Sequence, residues 1–473
     1  MFFRLSLLPC HFFVEDCLSL SKLWREDSLR EGGDASPPQP LNTIIYIIAL
    51  MYRVQKNHLR GLSKAEYQIL RNLTRLSKNL YNHTLYTVRQ YFFANGTFLK
   101  YEQAYHLVKR NENYQLLPSQ VAQQTMKVVD RTIRSFFGLL RERKKGNYNR
   151  PIHLPHYLPK DGYFPCIFAA DMIKVEGNKI RLSLGLHLAR ELGIRYLYYT
   201  LPPHVLGKKI KEVRLLPRYH GRYFELEYVY EVEPDLHQLD AAQYLAIDLG
   251  LDNFATCVST DGTAFILEGK GLKSYNRWWN KQKARLQSIY DKQDVKMGQK
   301  LAWLLRKRKN VVNNYMNQAI NYLIKKCLTQ KIGNLVIGEL KEIKQRITLG
   351  QKTNQNFVSI PFGLVKQKLK AKCEYYGITY LEAEERNTSK TCSQCGMVRK
   401  RNRKYRGLYV CQNCGIVRNA DVNGALNILA KVAPKSLSRG IGNSGRVDRP
   451  ERIRIPTVFE NHPSLEAPSV RAG

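Results

Sequence analysis

The sequence predicts a multidomain α+β protein in which a helical segment and a β-rich segment precede an α/β core with a small metal-binding ribbon inserted in it. Three observations point there. Apolar residues recur at helical spacing over residues 63–146, alternate at strand spacing over 150–235, and then gather into short buried strands flanked by long helices. Two C-x-x-C-G knuckles, Cys392-Ser393-Gln394-Cys395-Gly396 and Cys411-Gln412-Asn413-Cys414-Gly415, follow the last strand of that core. Each short loop can turn two sulfurs toward one tetrahedral ion, so Cys392, Cys395, Cys411 and Cys414 are candidate ligands of a structural metal, and thiolates at this spacing point to Zn2+.

The 473 residues include 76 Lys and Arg against 39 Asp and Glu, a formal net charge of +37. So large an excess repels itself without a counter-charge and calls for a polyanionic partner, nucleic acid first. The 29 tyrosines offer rings for base stacking beside those cations. The other cysteines (Cys10, Cys17, Cys166, Cys257, Cys327 and Cys373) stand singly in apolar or helical contexts. That is the pattern of reduced thiols, and it predicts a cytoplasmic, nucleoid-associated protein. The run Ile44–Met51 is far short of a bilayer span of about 20 residues, and the start, Met1–Cys10, lacks the basic flank and cleavage site of a signal peptide. No membrane partner is expected.

Taken in order, residues 1–50 read as a poorly structured extension or an upstream stretch added by an incorrect start, with a linker-like patch at Gly32–Pro40. Tyr52–Leu62 is strand-like and leads into Ser63-Lys64-Ala65-Glu66, a capping box that opens a helix carrying Ile69, Leu73, Leu76 and Leu80. A second helix starts at Ser119 after Pro118, carries Val121, Met126, Val129, Ile133, Phe136 and Leu140, and exits through basic residues 141–146. Gly177-Asn178 and His220-Gly221 are hairpin turns between strands, and the alternating Tyr223–Tyr230 completes a small β-barrel or curled sheet. The acid–proline run Glu231–Asp235 is a boundary.

Beyond it, Tyr244–Gly250 is a buried strand ending in a carboxylate, with Asn253–Ser259 the next strand of a meander. Basic helices over 272–329, with Trp278-Trp279 and Arg306–Lys309, suit a hairpin against a nucleic-acid backbone. Leu335–Glu339 is a second strand ending in a carboxylate. A helix over 362–376, the strand Ile378–Ala383, the ribbon and a helix over 421–431 follow, and after Val432 the Pro, Gly, Ser and Arg content reads as a disordered tail. Asp248, Glu339 and Asp421 are weak signals singly, since an Asp at a helix start is commonly an N-cap and one closing a strand commonly begins a turn. Together they are oxygen ligands from separated segments that can converge on hard cations such as Mg2+. Asp248-Leu249-Gly250 also resembles the phosphate loop of actin-like ATPases, but Leu251-Asp252-Asn253 replaces the Thr or Ser those folds need.

The block Asn387–Gly396, the second knuckle and Asp421-Val422-Asn423-Gly424-Ala425-Leu426-Asn427-Ile428 resemble the C-terminal signature of the TnpB family of bacterial transposons, relatives of type V CRISPR effectors. Ala246–Gly250 and Val336–Glu339 are similar to its first two RuvC motifs, and Ile360-Pro361-Phe362 also fits; the likeness runs from about Met51 to Lys431. The resemblance implies an RNA-guided DNA endonuclease with an RNase H-like RuvC core. Asp248, Glu339 and Asp421 would be its Mg2+-binding catalytic acids, and the four cysteines would hold zinc. It implies a wedge-like β domain at 51–62 and 147–237, a helical recognition lobe at 63–146, the nuclease domain at 243–389 and 416–431, the ribbon at 390–415 and a tail at 432–473. The implied partners are guide RNA from the transposon end and target DNA. Two departures stand out: Asn419 where many members have an acid, and Gly424 where alanine is usual, which weakens that helix slightly. A catalytically silent RNA-guided regulator and a transposase acting on transposon ends are the alternative functions.

Overall fold

The structure, a computed structural model, describes residues 50–339, 360–405, 407–434 and 449–456. The predicted extension, apart from Leu50, and most of the predicted tail lie outside the described residues. The chain divides into two compact units between Glu233 and Pro234, inside the acid–proline run.

The first unit opens with strand β1 (Met51–His58) and then helix α1 (Lys64–Asn95). The capping box forms as expected, Glu66 N donating to Ser63 Oγ at 3.1 Å and Ser63 N to Glu66 Oε2 at 2.9 Å. Two short helices, α2 (Tyr101–Val108) and α3 (Glu112–Leu116), connect α1 to α4 (Ser119–Lys144). The strands β2 (Cys166–Ala169), β3 (Ile173–Glu176) and β4 (Lys179–Ser183) come next, then helix α5 (Leu186–Leu192), then β5 (Tyr196–Thr200), β6 (Ile210–Arg218) and β7 (Tyr223–Val232). They make a four-stranded sheet ordered β1-β7-β6-β2 and a three-stranded sheet ordered β3-β4-β5. The helical segment and the β-rich segment share one hydrophobic core, running from Leu70 and Val129 through Phe168 to Leu226 and Tyr228.

The alternation in β7 does not separate buried from solvated residues. Phe224, Leu226 and Tyr228 enter the core, yet Glu225 and Glu227 on the other face are also buried. Neighbouring strands neutralise them, Arg214 lying 2.9 Å from Glu227 and Arg218 2.7 Å from Glu225.

The second unit begins with a meander of β8 (Asp240–Leu249), β9 (Asn253–Ser259) and β10 (Ala264–Glu268), followed by the helices α6 (Lys270–Lys292) and α7 (Gln299–Thr329). Then come β11 (Ile332–Glu339), α8 (Phe362–Tyr376) and β12 (Thr379–Glu384). The small strands β13 (Arg403–Tyr405), β14 (Leu408–Val410) and β15 (Val417–Arg418) form the ribbon sheet, and α9 (Ala420–Val432) closes the core. A last strand, β16 (Glu451–Ile453), completes a six-stranded sheet ordered β12-β11-β8-β9-β10-β16. Helices α7 and α8 cover the face that carries Leu245, Ile247, Leu335 and Ile337, whereas α9 covers the face that carries Ala246, Val258, Val336 and Ala383. The sheet is mixed, parallel across β12, β11 and β8 and antiparallel across β8, β9 and β10, and its burial on both faces explains the continuous apolar runs in its strands.

Strand β16 corrects the expectation of disorder throughout the tail. Phe265 to Leu267 of β10 pair in parallel with Glu451 to Ile453, and Ile455 is buried. The open edge of β10 supplies unpaired backbone groups, and the alternation in Glu451-Arg452-Ile453-Arg454-Ile455 suits it. Judged by composition, the segment concealed that short strand.

Candidate active site and metal centre

Asp248 stands at the C-terminal end of the central strand β8. Helix α9 passes directly over it: a Cβ on Gly424 would lie 2.7 Å from Asp248 Oδ2. This explains the departure noted in the sequence, because the glycine makes room for the carboxylate. Gly424→Ala is therefore expected to destabilise the protein although alanine is the better helix former. Overpacking costs about 1–3 kcal/mol against a propensity gain of about 1 kcal/mol. Thermal unfolding should show Tm lowered by a few degrees, and a raised Tm would mean that the helix and Asp248 do not press on one another.

Asn419, the other departure, is the N-cap of α9. Its Oδ1 accepts from Asp421 N at 2.9 Å and Val422 N at 3.2 Å. With the cap supplied by Asn419, the Asp421 side chain is directed elsewhere: Oδ2 accepts from Asn253 Nδ2 at 2.7 Å, and Oδ1 pairs with Arg403 Nη2 at 2.9 Å. Asn253 in turn accepts from Arg452 of β16 at 3.4 Å.

Strand register decides which residues share a face with Asp248. Strands β8 and β11 are parallel with Ile337 opposite Ile247, which brings Gly338 level with Asp248, and Gly338 is itself paired with Ala383 of β12. Alternation gives Gly338 the face of Val336, the one covered by α9, and gives Glu339 the opposite parity. Glu339 is paired with Glu384 at the ends of β11 and β12. Beyond Ala383, Glu385 folds back so that its side chain occupies the place where a side chain on Gly338 would sit. Glu385 Oε1 is buried without a hydrogen-bond partner. No motif in the sequence points to Glu385, since it follows the strand as one acid among several.

These carboxylates act on one another. Burial, reinforced by the charges of Glu385 and Asp421, pushes the Asp248 carboxyl well above its usual range, with Arg403 opposing. Burial likewise raises Glu385 to about 7 against the pull of Lys366 and Lys431. Clustered acids with raised pKa values and an unsatisfied buried oxygen make an arrangement that a divalent cation would relieve. Their oxygens do not all gather within 4.8 Å of one another. Two ions about 3.5–4 Å apart would not require that.

The four cysteines do gather, their sulfurs all within 4.8 Å, and they could hold a metal ion. Cys392 Sγ lies 3.6 Å from Cys414 Sγ, and Cys395 Sγ lies 3.6 Å from Cys411 Sγ. A tetrahedral ion with metal–sulfur bonds of about 2.3 Å would sit among sulfurs at close to that spacing. The glycine after each knuckle takes positive φ, 73° at Gly396 and 71° at Gly415, and donates back to Cys392 O and Cys411 O. Helix α9 ties this ribbon to the acids. Asn423 Nδ2 donates to Thr391 O at 2.7 Å, Asn423 Oδ1 accepts from Ser393 N at 3.0 Å, and Asn427 Nδ2 donates to Thr388 O at 2.7 Å. The Asp421–Asn427 block thus joins the first knuckle to Asp248, with Asp421, Gly424 and Asn427 on successive turns.

In the α6 and α7 pair, Trp279, singled out in the sequence, and Trp303, which is not, play different parts. Trp279 is buried, donates to Leu304 O at 3.2 Å and carries Arg308 over its ring at 4.5 Å. Trp303 is 44% exposed with Lys307 above it at 4.9 Å, leaving an aromatic and a cation at the surface. No described helix is long and apolar enough to cross a membrane.

Residues 227–344 match a family model described as "Probable transposase", and residues 362–428 match one described as "Cas12f1-like, TNB domain". The TnpB-like protein ORF457 of Acidianus two-tailed virus is 26% identical over 413 residues, covering 76% of this chain and 83% of that protein. The CRISPR-associated endodeoxyribonuclease Cas12f1 of Sulfoacidibacillus thermotolerans is 24% identical over 226 residues, 45% of this chain and 51% of that protein, so that match spans only about half of the relative. Among solved structures, a Cas12f1–sgRNA–target DNA complex contains a similar chain with a TM-score of 0.51 at 16% identity, covering 77% of this chain and 83% of that one. That likeness speaks to the fold, a multidomain α+β architecture with a RuvC-like core. The matches run through the acid-bearing strands, the cysteine ribbon and α9, and together they support a member of the TnpB family.

Proposed function

We propose that the chain is an RNA-guided DNA endonuclease of a transposon, hydrolysing phosphodiester bonds in target DNA with divalent metal ions, Mg2+ in the cell. The observation that carries this reading is the meeting of Asp248 and Asp421 under the Gly424 turn of α9, with further acids at the ends of β11 and β12. The sequence assigns the third acid to Glu339. Bound divalent ions would polarise the scissile phosphate and supply a nucleophilic hydroxide at neutral pH. Asp248 and Asp421 would hold them. Asn253 orients Asp421, and Arg403, which pairs with Asp421 here, would become available to a phosphate once a cation takes over that carboxylate. Zinc in the ribbon would act structurally, because the cysteine set is closed by four protein ligands.

Guide RNA and target DNA are the partners this reading requires, with base pairing carrying the sequence information. The +37 charge and the Lys307–Trp303 surface favour a nucleic-acid partner. Expressing the protein with its native flanking DNA and sequencing the RNA that copurifies tests the reading directly. One dominant RNA ending beyond the coding region is the expected result. No bound RNA, or a smear of cellular RNA, would overturn guide dependence and favour a general nucleic-acid binder or a transposase.

A further inference from the structure

We propose that Arg452, in the strand that the tail adds to the sheet, is a positioning residue of the nuclease site: it holds Asn253, and through Asn253 it aims the Asp421 carboxylate at the ions. The inference rests on the nuclease reading above and deepens it, giving the segment beyond α9 a part in metal binding.

Register puts Arg452 on the side of the sheet where the acids stand. Asp248 of β8 is paired with Thr256 of β9, Thr256 with Ile266 of β10, and Ile266 with Arg452 of β16, so these residues form one row across the sheet. Residues of one row share a face, and Asp248 lies on the face under α9. The alternate residues Phe265, Leu267, Ile453 and Ile455 pack into the opposite core, beneath α7 and α8. Those apolar contacts anchor β16 and leave Arg452 turned toward the acids. Strand spacings of about 4.8 Å separate the ends of the row by roughly 14 Å, and the long arginine side chain reaches back across part of it. Its Nη1 lies 3.4 Å from Asn253 Oδ1 and 3.4 Å from Glu268 Oε1. Asn253 and Glu268 are themselves paired across β9 and β10, and Glu268 neutralises the guanidinium. An amide held at its oxygen presents its nitrogen, and Asn253 Nδ2 donates to Asp421 Oδ2 at 2.7 Å. Arg452 thus fixes which end of the amide meets the carboxylate. Flipped, Asn253 would set its own oxygen against an anionic one. The Arg452 side chain is 47% exposed, so solvent screens the contact, and the expected effect is a few-fold change and not the loss expected at a ligand.

The test is a double-variant cycle on the whole zinc-containing chain, free of RNA, with Arg452→Met, Asn253→Ala and the two combined. Methionine keeps the stem, and with it the strand, but removes the donors. Mn2+ binding is followed by the electron paramagnetic resonance of the free ion, Asp248→Asn marks which binding belongs to the site, and thermal unfolding is recorded beside it. Asn253→Ala should weaken Mn2+ binding roughly tenfold and Arg452→Met roughly three- to fivefold, with Tm unchanged in the latter. The double variant should bind no more weakly than Asn253→Ala alone, because Arg452 acts only through Asn253. Charge alone predicts the opposite sign, since taking a cation away from a cation site tightens binding. Unchanged or tighter binding in Arg452→Met therefore overturns the inference, and so does a double variant in which the two losses multiply. The RNA-loaded Arg452→Met protein should need roughly three- to fivefold more Mg2+ for half-maximal cutting of a matched target and approach the wild-type rate at saturation. If wild type cuts no better than Asp248→Asn, the nuclease reading fails on its own, and the Mn2+ cycle still decides whether Arg452 acts on Asp421 through Asn253. Wild type with no Mn2+ binding beyond that of Asp248→Asn overturns both.

Discussion

Asp248→Asn is expected to reduce cutting of a guide-matched DNA by roughly 10³-fold or more, the scale of a lost metal contribution of several kcal/mol. RNA retention and DNA binding should stay near wild type. Asparagine keeps the shape under Gly424, so α9 has no reason to move, while the anionic oxygens that would hold a cation are gone. The same change should leave the Tm of the metal-free protein unchanged or raise it. The folded protein holds the Asp248 carboxyl well above its usual range through burial and the charges of Glu385 and Asp421. A carboxyl with a raised folded pKa binds protons more readily folded than unfolded, so its ionisation opposes folding increasingly as pH rises above the unfolded value near 4. Removing that charge removes the opposition. Cutting assays with matched guide and target, beside thermal unfolding in chelator, check both halves. Retained cutting would remove Asp248 from the reaction. A large fall in Tm would make it a structural residue.

That opposition between activity and stability shows which parts of the site were legible in the sequence. Asp248 and Asp421 could be found because each sits in a local pattern, one ending an apolar strand and one opening a helix, and the knuckle cysteines could be found because spacing alone fixes their geometry. Ser63 and Glu66 announce their helix for the same local reason. The close approach of Glu385 to Asp248 could not be read there. Its position depends on a register between β8, β11 and β12 that no single segment encodes, and on the missing side chain of Gly338. Glu339 is legible because an acid visibly closes an apolar run there, whereas the face it takes relative to Asp248 is set by pairing between distant strands. Glu225 and Glu227 make the same point in the first unit. Alternation in β7 is plain, but the cations that allow both acids to be buried come from the neighbouring strands β1 and β6. Asn419 and Gly424, which look like defects against the family pattern, become intelligible only once the cap and the close approach to Asp248 are seen.

Removing the ribbon metal should be as damaging to cutting as removing Asp248, for a different reason. The ribbon has almost no core of its own: Cys392, Tyr409, Cys411 and Ala420 are its buried apolar cluster, with Ile416 partly buried against them. So small a cluster contributes a few kcal/mol at most, whereas metal binding in small zinc modules supplies on the order of 10 kcal/mol of folding free energy. Buried Asn402, which reaches Tyr409 OH at 3.3 Å and receives Gln412 N at 3.4 Å, orders the loop only while the second knuckle is closed. Opening it releases Thr388, Thr391 and Ser393 from Asn423 and Asn427, and Arg403 from Asp421, so the N-terminal turns of α9 lose the contacts that aim Asp421. Cys411→Ser is therefore expected to take bound zinc from one ion per chain to near zero by elemental analysis and to make residues 390–420 sensitive to protease. Cutting should fall at least roughly 100-fold, because misplacement of about 1 Å at a catalytic group costs about that much. The six-stranded sheet, whose core lies elsewhere, should keep its own unfolding transition. If the variant holds one zinc and cuts normally, the four cysteines are not the metal site. If zinc is lost while cutting is unchanged, the ribbon does not position Asp421, and the coupling through Asn423 and Asn427 is structural decoration of the fold and no part of the catalytic apparatus.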